Sequence, residues 1–245
     1  MPILSVRGLV KRYGALVVSD GISLDVDEGE ALGILGPNGA GKTTLFNLIA
    51  GTAAPNAGRI LFRGRDITRL PASRRCRLGI SRSFQIPHPL AGMTTFENVL
   101  VGATFGGGLA ARAAEQRAIA VLETTGLSRK ANTLAGSLTL LERKRLELAR
   151  ALATGPSLLL LDEIAGGLTE AECQDLIAAL RAVRAQGISI IWIEHVVHAL
   201  VALVDRIAVL DFGRKIAEGP PAAIMASREI ADIYLGLDQA EPVHG

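Results

Sequence analysis

Long apolar runs, an imbalance of charge and cysteine are all scarce in this 245-residue sequence. A helix that crosses a membrane needs about eighteen to twenty consecutive apolar residues. The longest apolar stretch, 196–210, is broken by His198, Asp205 and Arg206, so no span is expected. Twenty-six basic and 24 acidic residues leave a net charge of +2. That field is too weak to make nucleic acid the main partner. The two cysteines, Cys76 and Cys173, fit no metal spacing and read as free thiols of a reducing cytoplasm. No apolar segment and cleavage site follow Arg7, Lys11 and Arg12, so no signal peptide is expected. Internal repeats, low-complexity tracts and long linkers are also missing. What is plentiful is apolar side chain: 49% of residues, with a mean hydropathy of +0.34. An Ala- and Leu-rich core would explain that value, and so would a large face covered by a partner. The length allows one large domain or two small ones.

The stretch Gly36-Pro37-Asn38-Gly39-Ala40-Gly41-Lys42-Thr43-Thr44 organises the rest. It lies between an apolar run, 31–35, that reads as a buried strand and another, 45–50, that reads as a helix. A Gly-rich turn in that setting, ending in Lys-Thr, is a phosphate-binding loop. Glycines at 36, 39 and 41 permit positive φ and leave no Cβ between the backbone N–H groups and an anion. A helix beginning near Lys42 would aim its positive dipole end at the same phosphates. Lys42 would reach the β- and γ-phosphates, and the Thr43 hydroxyl would join the coordination of Mg²⁺. The loop predicts a nucleoside triphosphate and leaves its use open.

Around the loop, residues 3–6 and 22–26 read as short strands, with Tyr13 between them. That aromatic either stacks on a base or packs at a strand edge. Strands are expected at 59–62 and 80–84, with a short basic helix at 70–78 whose arginines form a solvated face. Two prolines make 86–90 a loop. Residues 95–150 are largely helical, broken at Gly106-Gly107-Gly108. The strongest helix spans 138–153, with Thr139 and Glu142 at capping-box spacing and Arg143, Lys144 and Arg145 largely off its apolar stripe. Four leucines, 158–161, form a buried strand that ends in Asp162-Glu163. Asp162 would hold Mg²⁺ through water, and Glu163 would orient and deprotonate an attacking water. A second buried strand, 188–193, is followed by His195, which would sit at the same carboxyl edge of the sheet. There it would contact a γ-phosphate or serve only as a surface residue. A metal site with His198 would need a third ligand that the sequence does not place nearby. The segments 206–210 and 214–217 read as a closing β-pair, and 220–236 as a helical tail.

Taken in order, Tyr13, 36–44, Gln85, the segment near Leu138, 158–163 and His195 resemble the ATP-binding cassette (ABC) ATPases over nearly the whole chain. The resemblance implies an α/β fold: a P-loop NTPase core with a mixed or parallel sheet, an N-terminal antiparallel β part and an inserted helical subdomain. It implies one nucleotide-binding domain over 1–245, with a core of 1–85 and 155–245 and a helical part of 86–154. It implies ATP and Mg²⁺ as ligands. Tyr13 would stack on adenine, Gln85 would link the metal site to a membrane partner, and His195 would contact the γ-phosphate. Glu163, His195 and Gln85 are the implied catalytic set, and Thr43, Gln85 and Asp162 the implied metal set. The wording of 95–102, 145–152, Glu194-His195 and Tyr234-Leu235-Gly236 is similar to the larger ATPase type of branched-chain amino acid importers. The implied partners are a second ATPase, two permease subunits and, indirectly, a periplasmic solute-binding protein, with no nucleic acid. The implied location is the cytoplasmic face of the inner membrane.

Three positions depart from that family's wording. Its signature, Leu-Ser-Gly-Gly-Gln, falls in register on Leu138-Thr139-Leu140-Leu141-Glu142. Thr139 keeps a hydroxyl for the partner's ATP, in trans. Leu141 places an isobutyl group where a glycine would let backbone approach. Ile164 follows Asp162-Glu163 in place of proline, and the loop 166–169 lacks the common aspartate. The alternatives are an ATP-binding regulatory or assembly cassette with little turnover, a soluble non-transport ABC ATPase, and an unrelated P-loop kinase. Glu163 argues against the first. The second would need a coiled-coil insertion or a second cassette, and the third a substrate-binding lid.

Overall fold

The computed structural model describes residues 2–84, 86–228 and 230. Gln85 and the segment Tyr234-Leu235-Gly236 lie outside the described residues. Strands β1 (Pro2–Tyr13) and β2 (Leu16–Asp27) form an antiparallel pair. They are longer than the short strands expected, because bulges let the pairing run on past each register shift. Tyr13 is therefore the last residue of β1, at the hairpin, and does not lie between separate strands. With β4 (Ala57–Phe62) and β5 (Arg65–Asp66) they make a four-stranded sheet, ordered β2-β1-β4-β5.

The second sheet holds β3 (Ala31–Leu35), β6 (Ile80–Arg82), β7 (Leu158–Asp162), β8 (Ser189–Ile193), β9 (Arg206–Asp211) and β10 (Arg214–Gly219). Its order is β10-β9-β3-β8-β7-β6, parallel throughout except for β10 at its edge. The expected α/β architecture with a mixed sheet is thus observed. β3, β7 and β8 are buried on both faces, which is why they read as unbroken apolar runs. Their alternate side chains feed two cores. Leu158, Leu160, Ile191 and Ile193 face the antiparallel sheet and helix α1 (Lys42–Ala50). Leu159, Leu161, Ile190 and Trp192 face the helices on the other side.

Helix α2 (Ala72–Leu78) corrects one expectation. Arg74 and Arg77 are exposed, but Arg75 is buried. Its guanidinium donates to Leu48 O at 2.6 Å and Ile49 O at 2.9 Å, and also to Leu70 O and Thr68 O. The last carbonyls of α1 lack intrahelical partners, and this arginine supplies them. Between β6 and β7 lie α3 (Thr95–Val101), a π-helical turn at Gly102–Gly106, α4 (Ala111–Thr124) and α5 (Leu140–Ala153). The expected glycine break, 106–108, starts at the last residue of that π-turn. A Cβ at Gly102 would sit 2.7 Å from Arg150 O, so only glycine fits against α5 there. Helices α6 (Glu170–Arg184), α7 (Val197–Val201) and α8 (Pro221–Met225) complete the described chain. Among the described residues no helix is long and apolar enough to cross a membrane.

Candidate active site

All the site elements gather at the carboxyl ends of the parallel strands, where open α/β sheets bind ligands. β3 runs into Gly36, whose φ of 153° and close approach to Leu210 O, 2.2 Å from an added Cβ, exclude any other residue. Gly39 and Gly41 follow with φ of 82° and 97°. α1 starts at Lys42, directly after Gly41, and Gly41 offers it no side-chain cap. Its first N–H groups are therefore presented to whatever anion the loop holds. Lys42 is buried, and its ammonium donates to Gly36 O at 2.5 Å and Pro37 O at 2.9 Å. Burial lowers its pKa, while the charges of Glu163 and Asp162 oppose that shift. Thr43 is exposed and Thr44 half-buried. Val18, Asn38, Gly39, Ala40, Gly41, Lys42, Thr43, Thr44 and Glu163 line one open cleft of about 170 Å³. A larger hollow of about 340 Å³ lies elsewhere, between α2, β6 and the π-turn. The smaller cleft is the candidate site, because backbone N–H groups and a helix end bind phosphate at an open edge without a deep cavity.

Asp162 closes β7 and is buried. Its Oδ2 accepts from Arg82 Nη2 at 2.5 Å, and Arg82 Nη1 donates to Asn47 Oδ1 at 2.6 Å. The Arg82 guanidinium also lies over the rings of Phe46 and Phe84. It therefore ties β7, α1 and the residues after β6 together. Arg82 is a site residue that sequence reasoning missed; its one signal is an arginine in the short strand segment before Gln85. Asp162 Oδ1 is buried with no hydrogen-bond partner in the structure. That orphaned oxygen and the exposed Thr43 hydroxyl make an oxygen donor set that fits a Mg²⁺ ion.

Glu163 leaves the strand with φ of 48°, a left-handed conformation rare for a side chain of its type. Its N–H donates to Ile193 O at 2.9 Å. Its Oε1 lies 2.8 Å from His195 Nε2. The structure thus brings together two residues that the sequence placed on separate strand ends. Two neighbours were missed. Glu194 is buried, and Lys144, expected off the apolar stripe of its helix, is also buried. It is drawn inward because its ammonium reaches Glu163 O at 3.3 Å. A glutamate directly after a buried strand was the available signal for Glu194.

Tyr13 is exposed, with the Lys11 ammonium 4.8 Å from its ring centroid, so it is not packed at a strand edge. Thr139 is the N-cap of α5, accepting from Glu142 N at 3.3 Å while the Glu142 carboxylate accepts from Thr139 N. Among the described residues, neither Tyr13 nor Thr139 lines the cleft that holds the phosphate loop. His198 pairs with Glu170 at 3.0 Å, and no described group of three His, Cys, Asp or Glu could hold a metal.

Residues 19–166 match the family described as ABC transporter. The chain is 36% identical over 250 residues to BraF of Pseudomonas aeruginosa, a high-affinity branched-chain amino acid transport ATP-binding protein, covering 96% of this chain and 98% of that one. It is 36% identical over 252 residues to LivG of Escherichia coli K12, which bears the same description, with 96% and 98% covered. A nucleotide-free ATP-binding cassette from an ABC transporter matches it with a TM-score of 0.88 at 31% identity, covering 96% of this chain and 99% of that one.

Proposed function

This chain belongs to the ABC transporter family, and from that premise we propose that it is the ATP-hydrolysing subunit of an importer for branched-chain amino acids or related small solutes. The observation that supports hydrolysis most directly is Glu163. It lines the same cleft as the phosphate loop and is held against His195. In this reading the loop 36–44 and the start of α1 bind the phosphates, and Lys42 turns from the loop carbonyls to them. Water attacks the γ-phosphorus, its proton passes to the Glu163 carboxylate, and the bond to the bridging oxygen breaks with release of ADP. His195 holds the Glu163 carboxylate and contacts the γ-phosphate. Thr43 and Asp162, with Gln85, would hold Mg²⁺, which supplies positive charge to the phosphate oxygens when bound. Tyr13 stacks on the base.

Residues 1–85 and 155–245 form the ATP-binding core in this assignment, and 86–154 the helical part. Thr139 serves a second ATPase subunit's nucleotide, and its helix end arrives already capped by Glu142. The chain sits on the cytoplasmic face of the inner membrane with a second ATPase subunit against two transmembrane permease subunits, on which a periplasmic solute-binding protein acts from the other side. The test is steady-state hydrolysis of MgATP. Lys42→Ala should lose nucleotide binding. Glu163→Gln should still bind ATP, associate more tightly as a dimer and turn over at least about a hundredfold more slowly. Unchanged turnover in Glu163→Gln would remove Glu163 from this role.

A further inference from the structure

Glu194 has no part in the chemistry above, yet among the described residues it is one of the most buried charged side chains, 1% exposed. A carboxylate taken out of water is strongly disfavoured unless its oxygens are used. Here both are. Oε2 accepts from Ala165 N at 2.9 Å, in the loop that carries Glu163. Oε1 accepts from His195 N at 3.1 Å and Val196 N at 3.4 Å, in the loop that carries His195. One side chain therefore grips the backbones of two loops from different strands. Lys144 on α5 adds a third attachment through Glu163 O, and the charges of Glu194 and Glu163 offset part of the cost of burying its ammonium. Glu163 itself has left-handed backbone, a conformation that persists only where surrounding contacts fix it.

We propose that Glu194 is a positioning residue for hydrolysis: its carboxylate clasps the two loops so that Glu163 and His195 meet, and Lys144 anchors the clasp to α5. What a carboxylate supplies here, and an amide of the same shape does not, is a pair of acceptors facing N–H groups in two directions. The proposal rests on the hydrolytic reading of Glu163.

The test is Glu194→Gln, with Lys144→Met as a second variant that leaves the clasp itself in place. In Glu194→Gln, kcat for MgATP should fall about ten- to hundredfold, because a displaced general base loses its alignment. KM and the affinity for a fluorescent ATP analogue should stay within about twofold, because the phosphate loop is untouched. Lys144→Met should move kcat in the same direction by less. The side-chain ¹⁵N resonances of His195 should shift in Glu194→Gln, reporting a changed contact with Glu163. A role in stability alone would lower the melting temperature and leave the kcat of the folded fraction and the His195 resonances as they were, and that result overturns the clasp. If the wild-type protein binds ATP without hydrolysing it, the hydrolytic reading fails separately. The His195 resonances then decide the clasp.

Discussion

Arg82 engages two separate elements through one guanidinium, and its loss should be felt in two ways. Removing one partner of a buried ion pair leaves an uncompensated charge, here Asp162, at a cost of about 3 kcal/mol. If Asp162 is also a metal carboxylate, a divalent cation can replace the missing charge. Arg82→Met should therefore be less stable than wild type by about that amount in EDTA. The gap should shrink by at least half in saturating Mg²⁺ and ATP. Urea unfolding under both conditions measures it, and a gap of equal size in each would argue that no metal approaches Asp162. Residues of this kind divide sharply in how far sequence reveals them. Gly36, Gly39, Gly41 and Lys42 are legible because local backbone geometry demands them within nine positions. Asp162 and Glu163 are legible because four leucines announce the strand that delivers them. Arg82, Glu194, Lys144 and Arg75 are not, because each earns its burial from partners that only the folded chain brings near.

At the scale of elements, three helices start in the same way. Thr94–Glu97, Thr139–Glu142 and Thr169–Glu172 each form a reciprocal box at the start of α3, α5 and α6. In each, a hydrogen bond from the backbone N–H of the threonine holds the glutamate pKa below its ordinary 4.5. A carboxyl whose folded pKa is depressed contributes stability above its unfolded value and loses it as pH falls through the folded one. Glu194 works in the opposite sense, since burial raises its pKa and its contribution shrinks as pH rises above the ordinary value. The melting temperature should therefore drop as pH falls through and below the ordinary glutamate value of 4.5, and the drop should flatten when Glu97, Glu142 and Glu172 are all glutamine. An unaltered slope in that triple variant would show that the boxes do not govern acid stability. The spacing that revealed the Thr139 box is local, so it was readable in advance. The extent of β1 and β2 was not, because their bulges depend on cross-strand register rather than on an apolar pattern.

At the scale of the whole molecule, the high mean hydropathy is met first by the interior. Two cores on either face of one sheet account for most of the apolar side chains. The remainder includes a groove of about 340 Å³ beside β6, lined by Ile80, Phe84, Val101 and Phe105 with Cys76 at its side. Phe105 is 74% exposed and Phe84 is 51% exposed at its rim. Exposed aromatics bordering one groove are the kind of surface that a partner chain would cover. In the proposed assembly that chain is a permease subunit, and the groove adjoins Arg82 and so reaches the carboxylate of the candidate metal site. Phe105→Asp tests the assignment cleanly. The side chain is exposed, so the change should alter stability by no more than about 0.5 kcal/mol. ATP binding by the isolated chain should be unchanged, since the phosphate loop lies in a different cleft. Co-purification with the permease subunits should be lost, because the change removes the exposed aromatic ring and puts a charge at the rim that must be desolvated on contact. Retention of the complex at wild-type yield would place the permease contact on another face of the molecule.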